Sequence, residues 1–418
     1  MGEAEHFDAL EGRDPAKREA ALFAALPAQV AKAKAEAPAY AASLAEVDPL
    51  AVVDRAALAK LPLLRKSEMV RLQAQTPPFG GLNTQPPGRA GRVFASPGPL
   101  YELDAQESDH ARTARALFAA GFRPGMLVHN ALAYHLTPGG WILDWGARAL
   151  GCGVVPAGIG NSEQQIAAIR QLRPEGFTGT PDYLKVLLDK ADESDLSLDS
   201  IQRALVSGGA LFPSLRQDYA ARGIACFQCY ATAELGMIAY ETAAPDGRLN
   251  PGMILDEALI LEIVRPGTGD PVAAGEVGEV VVTNFNPLYP MIRLATGDLS
   301  AAMSEPSPCG RTNQRIKGWM GRADQTTKVK GLFVHPEQVA AVLARHPQVT
   351  KGRLEVTREG EQDSMTLLCE TAAREEGLAG ALAKTLMEVT KLKGAVSLVE
   401  EGGLVNDGKV IDDRRNYE

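Results

Sequence analysis

The stretch Gly176-Phe-Thr-Gly-Thr180-Pro181-Asp-Tyr183 passes from a short apolar run to a helix start within two residues. Gly179 closes a strand predicted over 176–179. Thr180 is placed to cap a helix over 181–192, and Pro181 suits its first turn, where no backbone donor is needed. Working outward, a strand over 203–207, a helix over 213–222 and a strand over 224–229 follow. On the other side stand the strand Met126-Leu127-Val128, a helix from about Gly140 to Leu150, a strand Gly153–Pro156, and a helix opened by Ser162-Glu-Gln-Gln165, which has capping-box spacing. A further helix is expected from Asp104, as its cap, to Gly121. Strands and helices alternating in this rhythm build an α/β fold with a parallel sheet covered on both faces. Ligands gather at the carboxyl ends of such strands. The loops 158–161, 207–212 and 230–236 are therefore candidate site loops.

The flanking regions read differently. Residues 14–45 are Ala-rich with dispersed charges, opened by Asp14-Pro15, and are expected to form one or two surface helices. Leu259–Val264 and Gly278–Thr283 flank Arg-Pro-Gly-Thr-Gly-Asp-Pro, an antiparallel β signal, so a β-rich part is placed near 255–320. Past Gly331 come a strand over 332–334, a helix over 336–346, two strands across 352–371, a helix over 374–392 and a strand over 395–400. That is a small α+β domain. Between the two regions, residues 318–336 mix three glycines with a basic cluster, as a joint would. The expected division is a large domain over 1–322 and a small, mobile one over 323–418, with a hinge near Asp324.

Composition narrows the function classes. The 418 residues carry 45% hydrophobic side chains and a net charge of −9, which suits large cores and argues against a nucleic-acid partner. No apolar run is long enough for a membrane helix, and the acidic start lacks a secretory signal, so a cytoplasmic protein is expected. Five cysteines are too few for a disulfide framework. Cys226-Phe-Gln-Cys229 has no second CxxC and sits in an apolar run, so two buried strand cysteines are expected there.

Four separated pieces remain: Tyr230-Ala231-Thr232-Ala-Glu234-Leu-Gly, Arg293-Leu-Ala-Thr-Gly-Asp298-Leu, Gly321-Arg322-Ala-Asp324…Lys328-Val-Lys330-Gly331, and Gly408-Lys409 near the end. Taken singly, Glu234 reads equally as an acid at a helix start, Asp298 as a turn residue and Lys409 as a solvated lysine. Their order and spacing resemble the acyl-adenylate-forming superfamily, and within it the phenylacetate–coenzyme A ligase branch. Leu61-Pro62-Leu…Arg65-Lys66, Asn161-Ser-Glu-Gln-Gln-Ile166, Thr180-Pro181-Asp-Tyr183 and Ser207-Gly208-Gly209-Ala210 extend the likeness over roughly 55–415.

The resemblance implies ATP, Mg²⁺ and coenzyme A as reactants and cofactor, and a carboxylic acid as substrate. It casts Glu234 as the acid that helps hold Mg²⁺, a hard cation that prefers oxygen. Asp298 would accept the ribose hydroxyls and Arg322 would add a ribose and phosphate contact. Ser207, Gly208, Gly209, Ala210 and Tyr230 would form the adenine slot, with Ala231 and Thr232 beside it. Lys409 would bridge the substrate carboxylate and the α-phosphate. Asp324 would be the pivot, and Lys328, Lys330 and Gly331 the face serving the thiol step. Tyr134, His135, Thr137, Gly139 and Gly140 resemble the branch's aryl-pocket stretch, although Tyr134 in the core and an exposed His135 fit the residues equally well. A homodimer is common in the branch and is the expected assembly.

One place departs from the pattern. Where the branch has a Ser/Thr/Gly-rich phosphate loop ending in lysine, this chain has Ala95-Ser96-Pro97-Gly98-Pro99-Leu-Tyr-Glu102. Only Ser96 and Gly98 keep the loop's character. Two prolines remove backbone donors, and Glu102 replaces the lysine with a charge that repels phosphate. Ala233 also stands where a hydroxyl residue is usual, and Glu241-Thr242 lacks a cysteine found in some relatives, so no structural zinc is expected. Two hypotheses follow. Either Mg²⁺ and other basic groups, Arg65 and Lys66 among them, do the loop's work, or adenylation is impaired and the chain is an acyl- or nucleotide-binding or carrier-linked partner.

Overall fold

The computed structural model describes every residue except 1–5, 97–99, 106–108, 245–246, 324, 361, 373–376, 406–408 and 416–418. It divides into two compact units: Met1–Thr296 with Ser300–Trp319, and Gly297–Leu299 with Met320–Glu418.

In the larger unit the strands Gly153–Pro156, Leu127–Asn130, Gly176–Gly179, Arg203–Val206 and Ala225–Thr232 lie side by side in that order, all parallel. Helices Gly139–Ala149, Ser162–Leu172, Pro181–Glu193 and Pro213–Ala221 connect them. Two separate cores result. One gathers Ile166, Phe177, Leu184, Leu187 and Tyr219, and the other Leu117, Phe122, Val128, Leu150 and Leu205. Ala225–Thr232 then pairs antiparallel with Gly236–Tyr240, and the sheet continues through Met253–Leu255, Arg315–Ile316 and Leu294–Met303 to Val277–Asn284 and, at its edge, Leu259–Val264. Cys226 and Cys229 are buried on the last parallel strand, where burial above all pushes both thiols up to about 12.

Three local expectations are corrected. Asp104 caps no helix: Leu100–Asp104 is a strand paired with Arg92–Ser96, and the helix runs only over Ala114–Ala119. Its start is held by Asp109, whose carboxylate accepts from the Thr113 and Ala114 N–H groups at 2.7 and 3.1 Å. Ser162 is not a cap either. Asn161 precedes that helix with φ 49°, and Gln165 turns away from it, donating to the carbonyls of Gly158 (3.0 Å) and Gly160 (2.7 Å) while its Oε1 meets His129 Nε2 at 2.8 Å. Finally, the N-terminal helix Pro15–Glu36 is no mere surface helix, because Phe23, Leu26, Val30 and Ala33 join the core beside Leu259, Leu261 and Ile292.

The smaller unit is α+β. The strands Ala395–Val399, Gln362–Glu370, Lys351–Glu359 and Ile411–Asp413 form a four-stranded sheet in that order. Helices Pro336–Ala344 and Leu378–Thr390 share a core with it through Val339, Val342, Leu354, Leu367, Leu382 and Leu386. A separate hairpin pairs Thr327–Val329 with Leu332–Val334. No helix among the described residues is long and apolar enough to cross a membrane.

Candidate active site

The departing segment is a hairpin. Register pairs Phe94 with Glu102 and Ser96 with Leu100. Glu102 lies on the inner side of this ribbon, only 1% exposed, and Ser96 Oγ donates to its Oε1 at 2.6 Å. Across from it, Glu234 follows the strand Ala225–Thr232 and is 5% exposed, with Lys66 Nζ at 3.0 Å from its Oε1. Lys66 opens the helix Lys66–Gln75 and keeps a third of its side chain in solvent. Burial works to raise the Glu234 carboxyl, but the Lys66 ammonium, the Glu234 backbone N–H and the Thr232 hydroxyl together offset it and the net direction is down. Glu102 goes the other way. Burial first, and the Glu234 charge second, push it up to about 8 against the opposing pull of Ser96 and Lys66. The Oε2 atoms of both acids are buried without a hydrogen-bond partner among the described residues. Arg65 points elsewhere, to Glu279 at 3.2 Å.

The turn that carries Glu234 is narrowly specified. Thr232 pairs with Gly236, a bulge separates Tyr230 from Ala231, and the Thr232 hydroxyl accepts from the Leu235 N–H at 3.3 Å. Gly236 has φ +68°, and a Cβ there would stand 2.8 Å from the Ala111 backbone, so no larger residue fits. Alongside, Ser207 Oγ donates to the Cys229 carbonyl at 3.0 Å and the Gly209 carbonyl accepts from Gln228 at 3.2 Å. Gly208, at φ +73°, makes the turn ahead of Ala210. These contacts bring 207–210 against the strand that holds Tyr230.

The stretch 134–140 is organised by polar bonds. Asn130 Nδ2 donates to Tyr134 Oη at 2.7 Å, and that hydroxyl donates to Asp144 at 3.0 Å. Burial, then the Asp144 charge, push the phenol above its usual range. Trp141 meets the Tyr134 ring edge-on, with centroids 5.2 Å apart. Thr137 Oγ1 donates to the Ala133 carbonyl, His135 is exposed, and Gly139 begins the helix. A Cβ on Gly140 would lie 2.9 Å from the carbonyls of Leu132 and Ala133, which accounts for glycine there. A narrow cavity opens beside Glu234, lined by Phe94, Leu103, His110, Pro138, Ile142 and Asn286 among others. Of the 134–140 stretch only Pro138 reaches it.

In the smaller unit Asp298 and Arg322 are brought together by backbone and side chain alike. They form a β-bridge, Ala323 N–H donates to the Gly297 carbonyl at 2.7 Å, and Arg322 Nη1 donates to Asp298 Oδ1 at 3.0 Å. Gly297, at φ +77°, gives the guanidinium its room: a Cβ there would be 2.5 Å from Nη2. Lys330 (φ 47°) and Gly331 (φ +85°) form the two-residue turn of the 327–334 hairpin, both left-handed as a primed turn requires. Lys328 Nζ lies 5.8 Å from the centre of the Phe333 ring. Lys409 pairs with Asp412 at 2.9 Å, and the neighbouring Val410 N–H donates to Gln325 Oε1 at 2.6 Å. Gly98 and Asp324 lie outside the described residues.

Sequence reasoning missed the burial of Glu102, and it missed His110, Asn286 and Gln325. Lys66 it named among the basic candidates.

A family model described as AMP-binding enzyme matches residues 112–286. The phenylacetate–coenzyme A ligase of Thermus thermophilus is 32% identical over 78% of this chain and 75% of its own length. That of Aromatoleum evansii is 30% identical over 75% and 72%. The crystal structure of 2-hydroxyisobutyryl-CoA ligase, in complex with 2-HIB-AMP and CoA, superposes with a TM-score of 0.81 at 25% identity, covering all of this chain and 94% of that one. The chain belongs to the acyl-adenylate-forming superfamily of AMP-binding enzymes, in its phenylacetate–coenzyme A ligase-like branch. It is an acid–thiol ligase that works with ATP, Mg²⁺ and coenzyme A.

The residues fit that cation. Among the described residues no three His, Cys, Asp or Glu are grouped to hold a metal by themselves, but Mg²⁺ ordinarily needs only one or two carboxylates together with substrate phosphates. The unmet buried oxygen of Glu234 answers that need. When bound, Mg²⁺ neutralises charge that develops on the phosphates.

Proposed function

We propose that the chain converts an aromatic carboxylic acid, phenylacetate- or benzoate-like, into its coenzyme A thioester by way of an acyl-adenylate. In the first half-reaction a carboxylate oxygen of the acid bonds to the α-phosphorus of ATP, the bond from that phosphorus to the bridging oxygen breaks, and pyrophosphate leaves. In the second, the coenzyme A sulfur gives up its proton and bonds to the acyl carbon. The acyl C–O bond of the mixed anhydride breaks and AMP leaves.

The residues divide the work by charge type. Asp298 takes the ribose hydroxyls, as a carboxylate with two acceptor oxygens can, and Arg322 adds donors for ribose and phosphate. Ser207–Ala210 and Tyr230–Thr232 hold the base, and Glu234 holds Mg²⁺. Lys409 stabilises charge between the acid and the α-phosphate. Asp324 serves as pivot, with Lys328, Lys330 and Gly331 acting in the thiol step. One observation supports the aromatic substrate: the curated relatives at 32% and 30% identity are named phenylacetate–coenzyme A ligases. The cavity beside Glu234, about 30 Å³ and lined by Asp104, Arg112 and Asn284 as well as Phe94, Leu103, Pro138 and Ile142, has room for a water and not for an aryl ring. The reading in which adenylation is impaired rests on the 96–102 departure and is not favoured, since the curated relatives are named as ligases.

Incubation with ATP, Mg²⁺, coenzyme A and a panel of acids, followed by mass spectrometry of thioesters, tests this directly. Phenylacetyl- or benzoyl-CoA should form with the highest kcat/KM. A clear preference for short aliphatic acids such as 2-hydroxyisobutyrate would contradict the aromatic assignment.

A further inference from the structure

Glu102 occupies a position that the phosphate chemistry leaves unexplained. It is a nearly fully buried acid in the hairpin expected to meet phosphate, and it sits beside a second buried acid. Each acid has one oxygen engaged, Glu102 by the Ser96 hydroxyl and Glu234 by the Lys66 ammonium. Each has its other oxygen buried and unmet among the described residues. A buried acceptor without a donor is costly, and here two of them lie on neighbouring acids. A divalent cation meets both, and two carboxylates are an ordinary protein contribution to a Mg²⁺ or Mn²⁺ site.

We infer that Glu102 and Glu234 together form a divalent-cation site, with Glu102 as a second carboxylate ligand and Lys66 as the competing cation that holds Glu234 when the metal is away. The assignment rests on the adenylate-forming reading and gives the departing hairpin a purpose within it. Where relatives of the branch meet phosphate with a loop lysine, this chain would meet it with a metal held from the protein side. Lys66 would be displaced from Glu234 as the cation enters and would become available to phosphate.

Mn²⁺ binding to the nucleotide-free protein, followed by the loss of the free-ion electron paramagnetic resonance signal, tests the site without turnover. One Mn²⁺ should bind and be displaced by Mg²⁺. Glu102→Gln and Glu234→Gln should each weaken binding at least tenfold. Lys66→Met should tighten it several-fold by removing the competitor, an effect that misfolding does not mimic. Absence of a site, or binding unchanged in Glu102→Gln, overturns the inference. AMP release with the acid panel is measured on the same preparations. A carboxylate-dependent Mn²⁺ site in a protein that releases no AMP supports the site and sinks the functional reading. AMP release with Mn²⁺ binding indifferent to Glu102 does the reverse.

Discussion

Asp298–Arg322 in the smaller unit and Glu102–Glu234–Lys66 in the larger are both acid–base contacts, yet they balance differently. The first pairs a carboxylate with a guanidinium at 3.0 Å, and the guanidinium fills the space that a Cβ on Gly297 would take. Such a pair offers both acceptors and donors, which is what ribose hydroxyls need. The second sets two buried acids beside one lysine that keeps a third of its side chain in solvent, and two carboxyl oxygens remain unmet among the described residues. That arrangement calls for a proton or a cation. On the proposed reading, the first region serves nucleotide recognition and the second phosphate chemistry.

The largest effect expected from breaking this contrast falls on the second region. Glu234→Gln should slow adenylation by about a hundredfold or more, the scale for losing one electrostatic stabiliser of a transition state, while AMP affinity stays within a few-fold by calorimetry. Asp298→Asn should do the opposite. AMP binding should weaken by about 10- to 100-fold, the worth of a charged hydrogen bond or two, and the residual adenylation rate at saturating ATP should fall less.

Glycine substitutions sharpen the contrast further. Gly297→Ala pushes the Arg322 guanidinium off Asp298 and should weaken AMP binding in the same direction as Asp298→Asn. Gly236→Ala, at φ +68° against the Ala111 backbone, should cost about 1–3 kcal/mol of stability by denaturant unfolding. The smallest effect concerns His129, the buried ring that steadies Gln165 under the 158–160 loop. Burial lowers its pKa below the usual 6.5, against the Gln165 hydrogen bond. The folded state therefore binds fewer protons than the unfolded one as pH falls below that value, and stability drops. His129→Gln should flatten the decline of Tm between pH 7 and pH 5, a slope read by calorimetry.

The parallel sheet was legible because its strands end in local signals, Gly179-Thr180-Pro181 most plainly, and because strand and helix periods differ. The run Leu100-Tyr-Glu-Leu-Asp104 was not. Asp104 is as good a cap in sequence as it is a strand end in space, and only pairing with Arg92–Ser96 decides between them. The burial of Glu102 was hidden for a similar reason. A glutamate beside two prolines reads as exposed, and the partners that define it, Ser96, Lys66 and Glu234, are spread over residues 66–234. Ser162-Glu-Gln-Gln165 matched a capping box, but the loop carbonyls of Gly158 and Gly160 and the His129 ring compete for Gln165 and win. Arg322 and Asp298 were named from motif spacing, and the Gly297 clearance that lets them meet is a backbone fact no spacing displays.

The central claim is that this chain makes acyl-adenylates despite the altered hairpin. Acid-dependent exchange of labelled pyrophosphate into ATP measures that half-reaction alone. Exchange is expected with at least one aryl acid and is lost in Lys409→Ala, while the same variant still forms thioester from supplied acyl-adenylate and coenzyme A. No exchange with any acid from a protein that binds AMP normally would contradict it.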